Sequence, residues 1–363
     1  MSIPWFLPEL GSQEEIRVVS VLQSNYINDG DVTREFENEM AAFLNVNHCV
    51  AVTSGTLAIS LALMALDIGF GDEVIVPDLT FIATANAVRL TGATVKLVDV
   101  DSRRFTIDPD RVEAAVTKRT KAIVPVDVNG RGADYEALLD ICSANDLALV
   151  CDSAEALGSK YGGKYLGTIG DAGCFSFSPN KTVTCGQGGM IATNRTDLYH
   201  RLLELKDQGR RKQGTGGDDL HPVMGYNFKL TNLQAAVGLA QLERLKERLE
   251  KFFLRDTLYE RYLDGIAHVE IPPWNRSEGE IKQWMDVLVD NRAEILSALT
   301  ERGIGHRAFW YPLHTQAPYQ QDDKPFPNSM EISRRGLWLP SHFSLSESDI
   351  QSASRVLKAT VNL

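Results

Sequence analysis

Several features that mark whole functional classes are scarce or missing in this sequence. Among its 363 residues there are five cysteines, Cys49, Cys142, Cys151, Cys174 and Cys185, odd in number and without a C-x-x-C pair. That argues against a disulfide framework. Cys142, Cys151 and Cys174 fall in apolar helix or strand contexts, as reduced thiols of a cytoplasmic protein do. The seven histidines show no metal-ligand spacing, so no metal is expected. No apolar run approaches the roughly 18 residues that span a bilayer. The opening Met1-Ser-Ile-Pro-Trp-Phe-Leu-Pro8 has no basic segment and is broken by two prolines, so it is not expected to be a signal peptide. Positive charge is also short: 37 basic against 48 acidic residues give a net charge of −11. No basic stripe exists to neutralise a nucleic-acid backbone, and neither a nucleic acid nor a membrane is an expected partner.

Two nucleotide-binding signatures are absent as well. No G-x-G-x-x-G comes after the first strand, which argues against a nicotinamide dehydrogenase. The stretch Gly158-Ser-Lys-Tyr-Gly-Gly-Lys164 matches G-x-x-x-x-G-K, but Tyr165 stands where a P-loop needs Ser or Thr for magnesium. The residues after it are glycine-rich rather than helical, and an NTPase is rejected.

An apolar content of 44% and a charged content of 23% are ordinary for a soluble globular protein. The length allows two domains or one large α/β domain. Residues 1–35 read as an arm, a helix and the polar loop 24–30. From about residue 50, strand and helix patterns alternate, the sign of a mostly parallel α/β sheet. Residues 56–66 are apolar nearly all round, as in a buried helix. Short apolar strands are expected at 74–76, Thr94–Val98, 122–126 and 147–151. Asp108-Pro109 has the form of a helix start. Residues 208–219 contain four glycines and read as a mobile loop. Thr231-Asn-Leu-Gln234 is a capping box that opens one long amphipathic helix through Leu245 and Leu249. The chain beyond it reads as a smaller α+β unit, giving domains at 1–240 and 241–363.

The most informative run is Cys174-Phe-Ser-Phe-Ser-Pro-Asn-Lys-Thr-Val-Thr-Cys-Gly-Gln-Gly-Gly189. It holds Lys181 among small and hydroxyl residues. A lysine that forms an imine with a carbonyl needs low local charge, close backbone packing and hydroxyls near a phosphate. Twenty-nine residues upstream, Asp152 closes an apolar strand. In that place a carboxylate can keep a pyridine nitrogen protonated, as pyridoxal phosphate chemistry requires. Ser54-Gly55-Thr56, opening the apolar helix, supplies a phosphate cradle.

At these residues the chain resembles the DegT/DnrJ/StrS family of pyridoxal-phosphate-dependent nucleotide-sugar aminotransferases. Six matching segments occur in the family's order: Ser54-Gly-Thr56, Asp78-Leu-Thr-Phe-Ile-Ala-Thr-Ala-Asn86, Asp152-Ser-Ala-Glu-Ala-Leu-Gly158, the stretch from Ser176 to Gly189, Gly225-Tyr-Asn-Phe-Lys-Leu-Thr-Asn-Leu-Gln234 and Tyr311-Pro-Leu-His-Thr-Gln316. The resemblance implies an α/β fold of the type I pyridoxal phosphate transferases, with a mostly parallel mixed sheet flanked by helices and a smaller C-terminal α+β domain. It implies pyridoxal 5'-phosphate as cofactor, with Lys181 as its lysine and Asp152 at its ring nitrogen. Ser54, Gly55, Thr56 and Ser176 would hold the phosphate. Phe81 would stack on the ring or serve as a core residue. Glu155 would touch the ring hydroxyl or the sugar, or lie solvated on a helix. Asn227 and Lys229 match a loop that reaches the neighbouring subunit's phosphate in relatives, implying a homodimer with composite sites. On the substrate side the expected residues are Tyr26 and Asn28 in the polar loop, Tyr311, and His314, which is equally read as a turn histidine. Arg307 or Lys229 is the nearest basic candidate for a diphosphate.

The implied reaction moves an amino group from L-glutamate to a nucleotide-linked keto sugar. The expected acceptor is a 4-keto-6-deoxyhexose, as in GDP-perosamine or dTDP-amino sugar synthesis, with a 3-keto sugar second. Such products serve lipopolysaccharide O-antigen, other cell-surface polysaccharides or glycosides. Two alternatives share the fold. Sugar dehydratases carry histidine in place of the lysine, which Lys181 opposes, and a non-catalytic sensory protein would have lost the cofactor residues. Asp127 and Asn129 stand where relatives commonly show His and Tyr, and 281–285 lacks the usual His-Ser-Tyr triplet. Both stretches are expected on the substrate side.

Overall fold

Strands built of consecutive apolar residues, without alternation, need cover on both faces, and the architecture supplies it. The computed structural model describes residues 2–211 and 219–361. Residues 212–218, the centre of the stretch read as a mobile loop, lie outside the described residues. The first sheet contains β1 (His48–Val52), β2 (Glu73–Pro77), β3 (Thr94–Val98), β4 (Thr120–Ile123), β5 (Ala148–Asp152), β8 (Ala172–Ser176) and β9 (Gly189–Thr193). Between β5 and β8 lies a small hairpin, β6 (Lys160–Tyr161) and β7 (Lys164–Tyr165). The strand order is β1-β9-β8-β5-β4-β2-β3. All neighbours are parallel except at β9, which runs antiparallel to both β1 and β8. The rejected P-loop match is this hairpin, with Gly162 and Gly163 turning at φ +54° and +78°.

The helices are α1 (Ser12–Ser24), α2 (Asp31–Leu44), α3 (Gly55–Ala65), α4 (Ala83–Leu90), α5 (Pro109–Ala115), α6 (Tyr135–Asn145), α7 (Thr196–Lys206), α8 (Asn232–Glu243), α9 (Leu245–Leu263), α10 (Arg292–Glu301), α11 (Pro327–Arg335) and α12 (Glu347–Val361). α3, α4 and α7 cover one face of the sheet through Ile59, Leu63, Val88 and Leu202. α5 and α6 cover the other through Val112, Leu138 and Ile141. α3 starts as its sequence predicts: Ser54 is the cap, its hydroxyl accepting from the Leu57 amide at 3.2 Å. α5 starts on Asp108, with proline in its first turn. α2 comes directly after the polar loop, an amphipathic helix that the sequence reading did not separate from the arm.

The second sheet is antiparallel, in the order β10-β11-β13-β12, from β10 (Val269–Glu270), β11 (Asp286–Val289), β12 (Arg307–Ala308) and β13 (Gly336–Trp338). α9 and α12 pack on it through Tyr259, Leu263, Ala353 and Leu357. The expected single long helix is in fact α8 and α9, divided at Arg244, whose backbone (φ −96°, ψ 5°) leaves the helical region. The break is held from far along the chain. The Arg244 guanidinium reaches Glu9 at 2.7 Å, and buried Arg248 donates to the carbonyls of Glu9 and Thr182. No local sequence signal announces such a partner. No helix among the described residues is long and apolar enough to cross a membrane.

The two sheets are joined by polar and aromatic contacts. Arg131 makes a bidentate pair with Asp286 at 2.6 and 2.9 Å, and its Nε donates to the Pro273 carbonyl at 3.0 Å. Asn129, in the left-handed region at φ 53°, donates to the Trp284 carbonyl and accepts from the Trp284 amide, both at 2.7 Å. Trp284 then packs against Trp5 and Trp338, with ring centroids 5.4 and 5.3 Å away.

Arg131 and Asp286 are both fully buried, so removing one partner strands a charge. Arg131→Ala is expected to destabilise the fold by about 3–5 kcal/mol, towards the lower end because Lys282 lies 3.7 Å from Asp286. Replacing both residues with apolar ones of similar volume should recover most of the loss. Urea denaturation of both variants checks this, and an Arg131→Ala midpoint equal to that of the parent protein would refute it.

Candidate active site

Parallel strands end on a common edge, and here that edge carries a cleft of about 290 Å³. β5 delivers Asp152, β8 delivers Ser176, the turn after β2 delivers Thr80 and Phe81, and the start of α4 delivers Thr84. Lys181 and Asn180 come from the loop between β8 and β9, and α3 contributes its first residues. The second sheet closes the cleft with Trp284, Arg307 and Trp310.

At one end the walls are small and uncharged. Gly55 sits so close to β8 that an added Cβ would lie 2.8 Å from the Ser176 Cβ. Only glycine allows this approach. The first amides of α3 have no partners within the helix and sit at its positive end. Beside them lie the hydroxyls of Ser176 and Ser178, 3.3 Å apart. A phosphate fits this donor set, and no acidic side chain of the lining stands among it.

At the other end three ionisable groups meet. The Asp152 carboxylate is buried. It accepts from the Thr84 hydroxyl at 2.7 Å and the Ala154 amide at 3.2 Å, and among the described residues no ion pair reaches it. Burial pushes its pKa above the usual carboxylate range, opposed by the Thr84 hydrogen bond and by Lys181. Glu155 is pushed up by burial too, opposed chiefly by Lys181, whose Nζ lies 3.4 Å from its Oε1. The same Nζ lies 4.8 Å from the Trp284 ring centroid. Two buried acids against one amine leave this end of the cleft short of positive charge. A protonated pyridine against Asp152 corrects that imbalance, so the residues fit pyridoxal phosphate at both ends.

The cleft thus brings together Ser54, Gly55, Thr56, Phe81, Asp152, Glu155, Ser176 and Lys181. Phe81 is half exposed on the cleft wall, which sets aside its reading as a core residue. Glu155 is buried against Lys181 rather than solvated. The other predicted residues lie elsewhere. Lys229 is ion-paired with Asp207, and Asn227 is exposed. Tyr26 and Asn28 use their carbonyls to hold Asn232, at 3.1 Å in each case. Tyr311 points to solvent. His314 is fully buried: its Nδ1 lies 2.7 Å from Asp78 and its ring stacks on Phe326 at 4.4 Å. It clasps the end of β2 and does not line the cleft.

Asp127 also departs from its expected place. It is fully buried behind Asp152, not on the substrate side, and accepts from Ser153 at 2.6 Å and Tyr135 at 2.8 Å. Burial pushes its pKa up to about 7, opposed by those two hydroxyls and reinforced by the nearby Asp152 charge. Of the 281–285 stretch, Trp284 alone lines the cleft. The sequence reading missed the roles open to Thr84, Ser178, Asn180, Gln187 and Trp310. Thr84, Ser178, Asn180 and Gln187 all lie within matched segments, which is the available signal; Trp310 lies just before one. A larger groove, about 670 Å³, runs past Asp101, Arg104, Lys160 and Trp274, but none of the predicted site residues line it.

Comparison with known proteins agrees with this geometry. The model of the DegT/DnrJ/EryC1/StrS aminotransferase family matches residues 8–358. A GDP-perosamine synthase from Caulobacter vibrioides is 38% identical over 353 residues, covering 94% of this chain and 94% of that protein. The GDP-perosamine synthase of Escherichia coli O157:H7 is 36% identical, covering 96% and 95%. The solved PLP form of Spr1654, a putative sugar aminotransferase from Streptococcus pneumoniae, superposes with a TM-score of 0.93 at 27% identity, covering 100% and 99%. The chain belongs to the DegT/DnrJ/EryC1/StrS aminotransferase family.

Proposed function

We propose that this aminotransferase uses pyridoxal 5'-phosphate to move the amino group of L-glutamate onto a nucleotide-linked keto sugar, a 4-keto-6-deoxyhexose. The observation that carries the reading is the cleft itself: a buried, cation-free Asp152, a single Lys181 and an uncharged phosphate cradle. Relatives named GDP-perosamine synthase favour a guanosine diphosphate carrier.

The cofactor supplies a carbonyl that accepts the amino group and an aromatic ring that spreads negative charge. The protein's residues do the rest. Asp152 holds a proton on the ring nitrogen, which the cleft's burial from water strengthens. Phe81 covers one ring face. Gly55, Thr56 and Ser176 fix the phosphate, so the reacting carbon stays within reach of Lys181. The Lys181 amine, in the cleft lining, would hold the cofactor and move the proton at the substrate's reacting carbon. Glu155, 3.4 Å away, is placed to hold that amine in position. The same steps in reverse deliver nitrogen to the sugar.

We also infer a cytoplasmic homodimer with composite sites. Asn227 is exposed outside its own chain's cleft, and Met224 near it is exposed as well. Ile16, Val19 and Leu22 form an exposed apolar row on α1. A second copy would cover these surfaces. Mixing a Lys181→Ala chain with an Asn227→Ala/Lys229→Ala chain should restore part of the activity, because in the mixed dimer both lesions can fall in one site. Heterodimers that form and stay inactive would exclude a shared site.

Borohydride reduction of the loaded protein followed by peptide mass spectrometry should place the pyridoxyl adduct on Lys181. An adduct on any other lysine would overturn the site. For the acceptor, the measurement is kcat/KM with a nucleotide-linked 4-keto-6-deoxyhexose and with the free sugar. Loss of the diphosphate should lower it about a hundredfold or more, since each polar group left unpaired forfeits roughly 1–3 kcal/mol and remote binding energy supports the chemical step. Equal turnover of the free sugar would remove the nucleotide from the reading.

A further inference from the structure

Two groups meet the Lys181 amine, and one residue outside the cleft holds both. The Trp284 ring centroid lies 4.8 Å from Nζ, and the Glu155 carboxylate lies 3.4 Å from it. Each is tied to Asn129, which is fully buried and does not line the cleft. The side-chain amide of Asn129 pairs with both main-chain groups of Trp284, one bond in each direction. Its own main-chain N–H donates to Glu155 Oε2 at 3.2 Å, which leaves Oε1 to the lysine. Trp284 reaches the lysine loop a second time. Its indole N–H donates to the Asn180 carbonyl at 3.3 Å, one residue before Lys181.

Asparagine suits this place twice over. Its amide offers a donor and an acceptor in one plane, as a neighbouring strand would, and it tolerates the left-handed backbone of the turn. That turn is packed hard against the second-sheet segment: at Gly130, φ +85°, an added Cβ would lie 1.9 Å from the Ile281 carbonyl oxygen. Arg131 also joins the two sheets, but its partners Asp286 and Pro273 stay outside the cleft lining. Both partners of Asn129 belong to the lining. That difference separates a positioning role from a purely structural one.

We propose that Asn129 is a positioning residue for the Lys181 amine, holding the Trp284 ring and the Glu155 carboxylate against it. This rests on the aminotransferase reading above and adds to it what keeps the amine in place. A lysine that moves a proton must return to one spot in every turnover, although its four-carbon stem is flexible. Contact with an aromatic face and one carboxylate oxygen restricts it. Because one amine serves both half-reactions, losing this support slows both and leaves substrate binding as it was.

Asn129→Gly tests this, since glycine keeps the left-handed backbone and the N–H to Glu155 but removes the hold on Trp284. On the loaded enzyme, each half-reaction can be followed by cofactor absorbance. The saturating rate should fall about ten- to a hundredfold with L-glutamate and with the nucleotide-linked keto sugar, while the half-saturating concentrations stay within about twofold. Asn129→Ser, with a shorter hydrogen-bonding side chain, should fall between the glycine variant and the parent. A second readout needs no turnover. In cofactor-free protein labelled with nitrogen-15 at its five tryptophans, Trp284→Phe identifies the Trp284 indole resonance. In Asn129→Gly that resonance should shift or broaden more than any other. An unchanged Trp284 resonance, or unchanged saturating rates, would each overturn the proposal. So would raised half-saturating concentrations with rates preserved, which would assign Asn129 to substrate binding. Failure of both variants to fold would make the residue structural alone and would also overturn it. A parent protein that binds no cofactor at Lys181 would instead refute the aminotransferase reading itself.

Discussion

Asp152 ends a central strand, out of water, with one hydroxyl and one amide for partners and no cation against it. Burying a carboxylate in this way is unfavourable, and the raised pKa expresses that. The surrounding structure maintains the arrangement. Parallel strands on both sides of β5 fix where Asp152 ends, and the Thr84 hydroxyl on α4 orients its oxygens. The open valence is electrostatic, and a ring bearing a proton at nitrogen would fill it. Much of the fold near the cleft can be understood as holding that one charge ready.

The second sheet matters because it supplies the wall opposite that charge. Trp284 is anchored through its backbone to Asn129, and its ring lies over the Lys181 amine. Trp338 and Trp5 continue the aromatic cluster to Arg307. A displacement of either sheet relative to the other would therefore move the lysine's environment and the Arg307 guanidinium together. The Arg131–Asp286 pair resists such a displacement from outside the cleft. Position and chemistry are coupled here through packed rings and one buried ion pair.

Legibility in the sequence depends on which interactions are local. The strand ending at Asp152 and the capped start of α3 each depend on residues within a few positions, and the structure has both. His314 was placed at the sugar, but its true partner, Asp78, is 236 positions away and leaves no mark beside it. The same holds for the division of α8 from α9, enforced by Glu9 at the other end of the chain. Asp127 reads as a substrate-side variant because it stands where relatives commonly show His. Only the packing of Tyr135 and Ser153 around it shows that it lies behind the Asp152 carboxylate. Arg307 was named for its charge alone. That its guanidinium lies against two tryptophan rings could not be known before its neighbours were placed.

The contrast between the two ends of the cleft carries the remaining argument. At one end, the close contact between Gly55 and Ser176 offers backbone amides and hydroxyls, with no charged side chain of the described lining beside them, for a phosphate to meet. Within one chain, the field around the cleft is set by Asp152, Glu155, Lys181 and Arg307. A lysine or arginine of the same chain beside Gly55 would oppose a protonated ring nitrogen at Asp152. Neutral phosphate binding and a buried, unpaired acid are thus parts of one electrostatic arrangement. The small residues at 54–56 and 176–178 are as much a requirement of it as the lysine they surround.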